Sequence, residues 1–319
     1  MNKKNSNNNC DSNFEFSKIL PMVVGTNIAL LIFFFVIIKY KKNNNEGENM
    51  NIINSVKKLI FALCATLALI ASADARSLDE IVKSGVLKMG VNPGLPPLAK
   101  YDDKNKLVGF DPDIGAKLAE MLGVKLELVK TGSPDRIPFV STGKIDIVMG
   151  AMTRNYQRQM IIDYTLPVHT EVFGALTTSE KPFKAVMDMN KSDVKLAQVR
   201  GSMPAGWAKD NLPNAKITLF DNYPDAMRSI AQGRNHAIVD VVDFLGEHMN
   251  AHKKTKWQIV DKAIDTWYCG IGIKKGNYTL QQWLNVAIYT MHKDGFVDAT
   301  WKKWFGIGQI HSVQASPYF

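Results

Sequence analysis

Cysteine is scarce in this chain. Three occur in 319 residues: Cys10, Cys64 and Cys269. Two of them lie in the first 75 residues, so a chain trimmed there keeps Cys269 alone and forms no internal disulfide. Set in an apolar β-rich run, Cys269 reads as a buried, unreactive thiol. No zinc-ligand spacing and no Walker loop is present, and no Gly-x-Gly-x-x-Gly follows a strand. No metal site and no cofactor are therefore expected. The formal net charge is +9, of which about +6 lies beyond residue 75. That excess is not gathered into a dense Lys/Arg cluster, which argues against a nucleic-acid partner and suits a small anionic group or a solvated surface.

Long apolar runs occur only near the N-terminus. From Met50 the pattern is that of a secretory leader. Lys57 and Lys58 form a charged start, Leu59–Ser72 an apolar stretch, and Ala73-Asp74-Ala75 a small-residue cleavage site. Cleavage after Ala75 makes Arg76 the mature N-terminus, and residues 50–75 the signal peptide of a periplasmic protein. Cys64 follows Leu63 rather than a small residue, so it reads as part of the apolar stretch and not as a lipid attachment site. Residues 1–49 are Asn- and Lys-rich and hold an uncharged run, Ile19–Ile38, long enough to span a bilayer at ~1.5 Å per residue. They either anchor the chain or precede the true start at Met50. A complete leader placed internally favours the second.

Beyond residue 76 the pattern alternates. Val86–Val91, Val124–Val129 and Ile145–Met149 read as strands, separated by helices at Asp111–Leu122 and Pro134–Ser141. Asp111 reads as a helix cap followed by Pro112, and Gly123 as the stop. A second alternating unit holds strands Val194–Val199, Lys216–Leu219 and Ala237–Val241. Val168–Leu176 and Trp267–Ile273 are β-rich and are placed to cross between the units. The last helix is read over Leu280–Lys293. This predicts an α/β architecture of two lobes, 76–170 plus 268–319 and 171–267, with a ligand cleft between them closing by hinge motion.

Gly150 to Arg158 reads Gly-Ala-Met-Thr-Arg-Asn-Tyr-Gln-Arg and follows an apolar strand. Ligands of open α/β sheets bind at such strand ends, and a guanidinium fork matches a carboxylate with two parallel hydrogen bonds. The stretch resembles the Gly-Met-Thr-x-Thr-x-x-Arg segment of the periplasmic solute-binding proteins that serve polar amino-acid ABC transporters. Further segments follow in family order: Gly-Val-Asn-Pro-Gly-Leu-Pro-Pro-Leu from Gly90, Val-Gly-Phe-Asp-Pro-Asp from Val108, and Ser-Thr-Gly-Lys-Ile-Asp from Ser141. After Arg158 come Ile-Asp-Tyr-Thr-Leu-Pro from Ile162, Val-Arg-Gly-Ser from Val199, Gln-Gly-Arg from Gln232 and Trp-Phe-Gly from Trp304. The resemblance implies a type II periplasmic binding protein fold with two crossing hinge strands. It also implies a monomeric, non-enzymatic binding role and an inner-membrane permease as partner.

It implies site residues too. Arg158 would hold the ligand α-carboxylate, and Asn92, Ala151 and Thr153 would line the cleft. Gly201 and Ser202, at a helix N-terminus, would offer free N–H groups to the same carboxylate. Ser133 stands where many members carry an aromatic residue. Arg136, 22 residues before Arg158, resembles the arginine with which glutamate- and aspartate-binding members take a side-chain carboxylate. Two guanidiniums in one cleft repel unless a dianion lies between them, so either an acidic ligand is expected or Arg136 caps or pairs locally, with Asp135 the nearest acid. The family's ammonium-binding Asp would fall at Val241, leaving Asp240 or Asp243 for the role, or neither if the ligand is a non-amino dicarboxylate. Strand alternation turns Asp240 away from the face of residue 241. Trp207, Trp267 and Tyr268 are offered as substitutes for the missing ring, with core packing their commoner fate. Two other classes stay open. One is an enzyme resembling the cyclohexadienyl dehydratases, with Asp243 or Glu247 as acid. The other is a sensor anchored by Ile19–Ile38.

Overall fold

The computed structural model describes residues 75–314. The leader, the Ile19–Ile38 run and the last five residues lie outside the described residues. The first described elements are α1 (Leu78–Ser84), β1 (Val86–Val91), the short pair β2 (Lys100–Tyr101) and β3 (Leu107–Val108), α2 (Phe110–Leu122), β4 (Lys125–Lys130), α3 (Arg136–Ser141), β5 (Ile147–Val148) and α4 (Tyr156–Gln159). A long strand, β6 (Ile162–Thr178), leads to β7 (Lys195–Val199), α5 (Met203–Asn211), β8 (Lys216–Phe220), α6 (Tyr223–Ala231), β9 (Ala237–Val241) and α7 (Leu245–Ala251). A second long strand, β10 (Trp257–Lys274), returns to α8 (Tyr278–Lys293) and α9 (Phe296–Phe305).

One eight-stranded sheet runs in the order β4-β1-β5-β10-β6-β9-β7-β8. Its two ends are parallel, as expected of strands joined through helices. Its centre is the antiparallel pair β6 and β10, interrupted by register shifts near Val260/Asp265 and Cys269/Gly270. Such irregularities bend a strand. The expected lobe boundaries, at 170/171 and 267/268, fall inside these two strands. Both are longer than the sequence pattern indicated; β6 begins at Ile162, where the buried Asp163 interrupts the apolar run.

Local signals set the helix ends. Ser77 and Glu80 form a reciprocal capping box on α1. Arg76, the expected mature N-terminus, donates from Nε to Asp146 at 2.9 Å. The cap of α2 is Gly109 and not Asp111. Gly109 has φ 143°, and a Cβ there would stand 2.4 Å from the Leu98 carbonyl oxygen. Only glycine lets the chain pass this close. Asp111 instead lies fully buried in the first turn. A large apolar cluster is closed by Trp301, which stacks on Phe305 at 3.8 Å and meets Phe110 edge-on at 5.3 Å. The helix α9 that carries Trp301 was not anticipated.

Candidate functional site

The loop after β4, the stretch after β5 and the turn between β7 and α5 converge on one narrow cavity of about 10 Å³. Arg136, Thr153, Glu171, Ser202, Tyr223 and Asp240 supply its polar lining, and Phe244 an aromatic wall. That is room for roughly one water molecule, so the site is nearly closed in this conformation and a solute enters only as the surrounding loops part.

Arg136 lies at the start of α3 and is buried. Its Nε donates to the Ser133 carbonyl at 3.3 Å, and Nη1 to the carbonyls of Gly150 and, at 2.9 Å, Ala151. Its Nη2 reaches the Gly201 carbonyl at 3.4 Å. Four of five guanidinium donors are thus spent on backbone. Burial, and after it the neighbouring Arg158 charge, lowers its pKa. Arg158 is differently placed. The Asn155 side chain caps α4 by accepting the Arg158 amide at 2.7 Å. The guanidinium donates to the Thr153 carbonyl at 3.1 Å and the Gly201 carbonyl at 3.0 Å. Two of its donors are spent on these carbonyls and the Tyr164 hydroxyl stands beside it; Arg136, and not Arg158, borders the cavity itself. Of the two arginines, Arg158 is the one equipped to fork onto a carboxylate.

Gly201 and Ser202 depart from expectation. Gly201 presents its carbonyl oxygen to both arginines. The Ser202 amide is already bonded to Val199, and its hydroxyl caps α5 by accepting from Ala205 at 3.2 Å. The two residues are a backbone acceptor and a helix cap, and not a ready nest of free donors. Asn92 and Ser133 bond each other at 3.2 Å, and Asn92 also holds the Gly94 amide at 3.0 Å. They shape the loop beside the cavity. Ala151 takes φ 59°, a left-handed conformation rarely adopted outside glycine, which turns its carbonyl to Arg136.

Asp240 lines the cavity after all, as does Val241, because the strand ends there and turns into a 3₁₀ segment, Val242–Phe244. Its Oδ1 accepts from the Val241 amide at 2.7 Å and the Tyr223 hydroxyl at 3.5 Å, while Oδ2 has no hydrogen-bond partner. Burial pushes its pKa up to about 7. Asp243 is held differently, facing the Val172 amide at 3.5 Å. Trp267 stacks on Phe173 at 4.4 Å, with Trp207 edge-on at 4.9 Å. These rings form a separate apolar cluster, and Tyr268 is half exposed. None of the three lines the cavity.

Sequence reasoning missed Glu171 and Tyr223. Glu171 accepts from the Thr153 hydroxyl at 3.2 Å through Oε2, and its Oε1 has no hydrogen bond. Its signal was available: it is the one acid inside the β-rich run Val168–Leu176.

Residues 87–307 match the model of the bacterial extracellular solute-binding proteins, family 3. The chain belongs to this family. Among its relatives, the L-cystine-binding protein TcyJ of Escherichia coli is 28% identical over 77% of this chain and 92% of its own length. The glutamate/aspartate import solute-binding protein of the same bacterium is 25% identical, over 77% and 86%. Among solved structures, the ancestral amino acid-binding protein AncCDT-1, a precursor of cyclohexadienyl dehydratase, is 35% identical. It covers 72% of this chain and 99% of its own, with a TM-score of 0.66. An ancestral arginine-binding protein bound to arginine is 30% identical, over 70% and 99%, with a TM-score of 0.65. The fold is that of the type II periplasmic amino acid-binding proteins, and the chain is an amino-acid solute-binding protein of the ABC transporter kind.

Proposed function

We propose that this chain captures an amino acid in the periplasm and presents it to an inner-membrane permease, and that its ligand is rich in positive charge rather than acidic. The observation that carries the reading is a pair of buried carboxylate oxygens without hydrogen-bond partners, Asp240 Oδ2 and Glu171 Oε1, on residues that line one cavity. A buried carboxylate in such a state is costly. A ligand ammonium, or a guanidinium beyond it, offsets that cost, while a second ligand carboxylate adds to it. Arg158 takes the α-carboxylate. The acidic ligand inferred from two arginines loses its basis, because Arg136 spends its donors on four carbonyls. Residues 76–170 with 268–319, and 171–267, act as the two lobes, parting and closing about β6 and β10. Export after cleavage at Ala75 accords with a family of extracellular binding proteins.

A second reading is acid-catalysed dehydration. It is favoured by one feature, a carboxyl with a pKa of about 7 in a closed cavity. Here the acid is Asp240 rather than Asp243. Incubation with a cyclohexadienyl substrate separates the readings: loss of water at a catalytic rate supports the enzyme, and unchanged substrate supports the binder. Calorimetric titration with arginine, lysine, cystine, glutamine, glutamate and succinate tests ligand class. Arginine or lysine should bind at least tenfold more tightly than glutamate, and succinate should not bind.

A further inference from the structure

His169 and Glu171 stand two apart on β6, so they share one face of the strand. Cys269 of β10 is the antiparallel partner of His169, which places its side chain on that same face. All three are buried. One donor atom from each lies within 4.8 Å of the other two, and His169 Nε2 stands 3.6 Å from Glu171 Oε1. Neither ring nitrogen of His169 has a hydrogen bond, nor does Glu171 Oε1. Phe110 and Trp301 wall the imidazole at ring separations of 5.5 and 5.4 Å and offer it no acceptor. Buried polar atoms in native proteins are nearly always satisfied, and here three such atoms gather beside a thiol.

We propose that His169, Glu171 and Cys269 form a binding site for a zinc-class divalent transition-metal ion. Imidazole, carboxylate and thiolate are the donor types such ions take, at about 2.0–2.3 Å. Those bond lengths bring donors to about 3.3–3.8 Å from one another, so the present spacing closes by a shift of about 1 Å. Binding displaces the Cys269 thiol proton to solvent, as metal–thiolate bonds require. Three protein donors leave a fourth position open. Thr153 Oγ1 borders it, 3.8 Å from Cys269 Sγ and 3.2 Å from Glu171 Oε2. The set was invisible as a sequence motif because its donors come from two strands 100 residues apart, joined only by register. The set shares Glu171 with the amino-acid cavity, so a bound ion and a ligand cation would compete for Glu171 Oε1; the titration below contains no amino acid and so reads the metal site alone.

The test uses the purified full-length protein, stripped with chelator and titrated with Co²⁺ and then Zn²⁺. One equivalent of Co²⁺ should bind with a sulfur-to-metal charge-transfer band in the near ultraviolet, and Zn²⁺ should bleach it. Cys269→Ser should abolish that band, and His169→Gln should weaken Co²⁺ affinity at least tenfold, with far-ultraviolet dichroism confirming that each variant is folded. Should one variant not fold, Glu171→Gln supplies the same comparison. No binding to the wild-type protein, binding without the charge-transfer band, or a band that survives in Cys269→Ser would each overturn the site.

Discussion

Arg158 donates from Nη2 to the carbonyl oxygen of Gly201 at 3.0 Å, across 43 residues of chain. One partner follows β5 and the other follows β7, so the bond joins the two parallel parts of the sheet on either side of β10 and β6. The same guanidinium spends fewer donors on backbone than Arg136 does and so has more to offer a ligand. Arg158→Ala should therefore weaken amino-acid binding by about 2–4 kcal/mol, the scale of a bidentate charge-assisted pair in a closed site. Calorimetry giving an affinity within threefold of wild type would contradict the assignment.

Arg136→Ala should behave differently. The Ser133, Gly150 and Ala151 carbonyls lose the guanidinium donor inside the protein, while Gly201 keeps Arg158, which costs stability of about 3 kcal/mol. Denaturant unfolding should show the loss with no ligand present. A variant of unchanged stability that has lost only affinity for acidic ligands would restore the acidic reading.

Gly201 has φ 73°, and a Cβ there would stand 2.9 Å from Pro134 Cα and 3.0 Å from the Ser133 carbonyl oxygen. Gly201→Ala forces the β7–α5 turn away from the loop after β4. Small-angle scattering with saturating ligand should show the variant staying more open than wild type, and binding should weaken at least tenfold. A variant that closes and binds as wild type does would refute the close approach.

Burial raises Asp240 from an ordinary 3.8 to about 7, and Asp111 by the same cause to about 7. Between about pH 4 and 7 the folded protein holds protons that the unfolded chain has released, so stability is greatest at the acid end and falls as pH rises. The melting temperature of the ligand-free protein should drop from pH 5 to pH 8, less steeply in Asp240→Asn. A ligand ammonium favours the ionised Asp240, so affinity should rise over the same interval, and binding should release protons below pH 7. Proton uptake on binding would contradict this.

The sequence made the scaffold legible because apolar runs, glycine stops and the Gly150–Arg158 stretch are local signals. Thr153 and Arg158 were found this way. Glu171 and Tyr223 were not, because their place in the site depends on how β6 pairs β9 and β10 and where α6 docks. Asp111 looked like a cap because its neighbour is Pro112, but Gly109 holds that role through a backbone passage no side chain allows. Arg136 lies at the cavity, and its bonds to backbone favour the local role that its sequence position had left open beside the ligand-binding one. Position follows from spacing, while the four carbonyls that spend its donors come from the fold.

The central claim is that buried Asp240 and Glu171 set the cavity's preference for positive charge, and Asp240→Asn tests it most directly. Calorimetry on wild type and variant, with arginine and glutamate as ligands at pH 7.5, compares the two charges in one site. The account predicts that wild type binds arginine at least tenfold more tightly than glutamate, and that the substitution costs arginine at least tenfold while costing glutamate less. Tighter binding of glutamate by the wild-type protein, or an arginine affinity unmoved by the substitution, would contradict it.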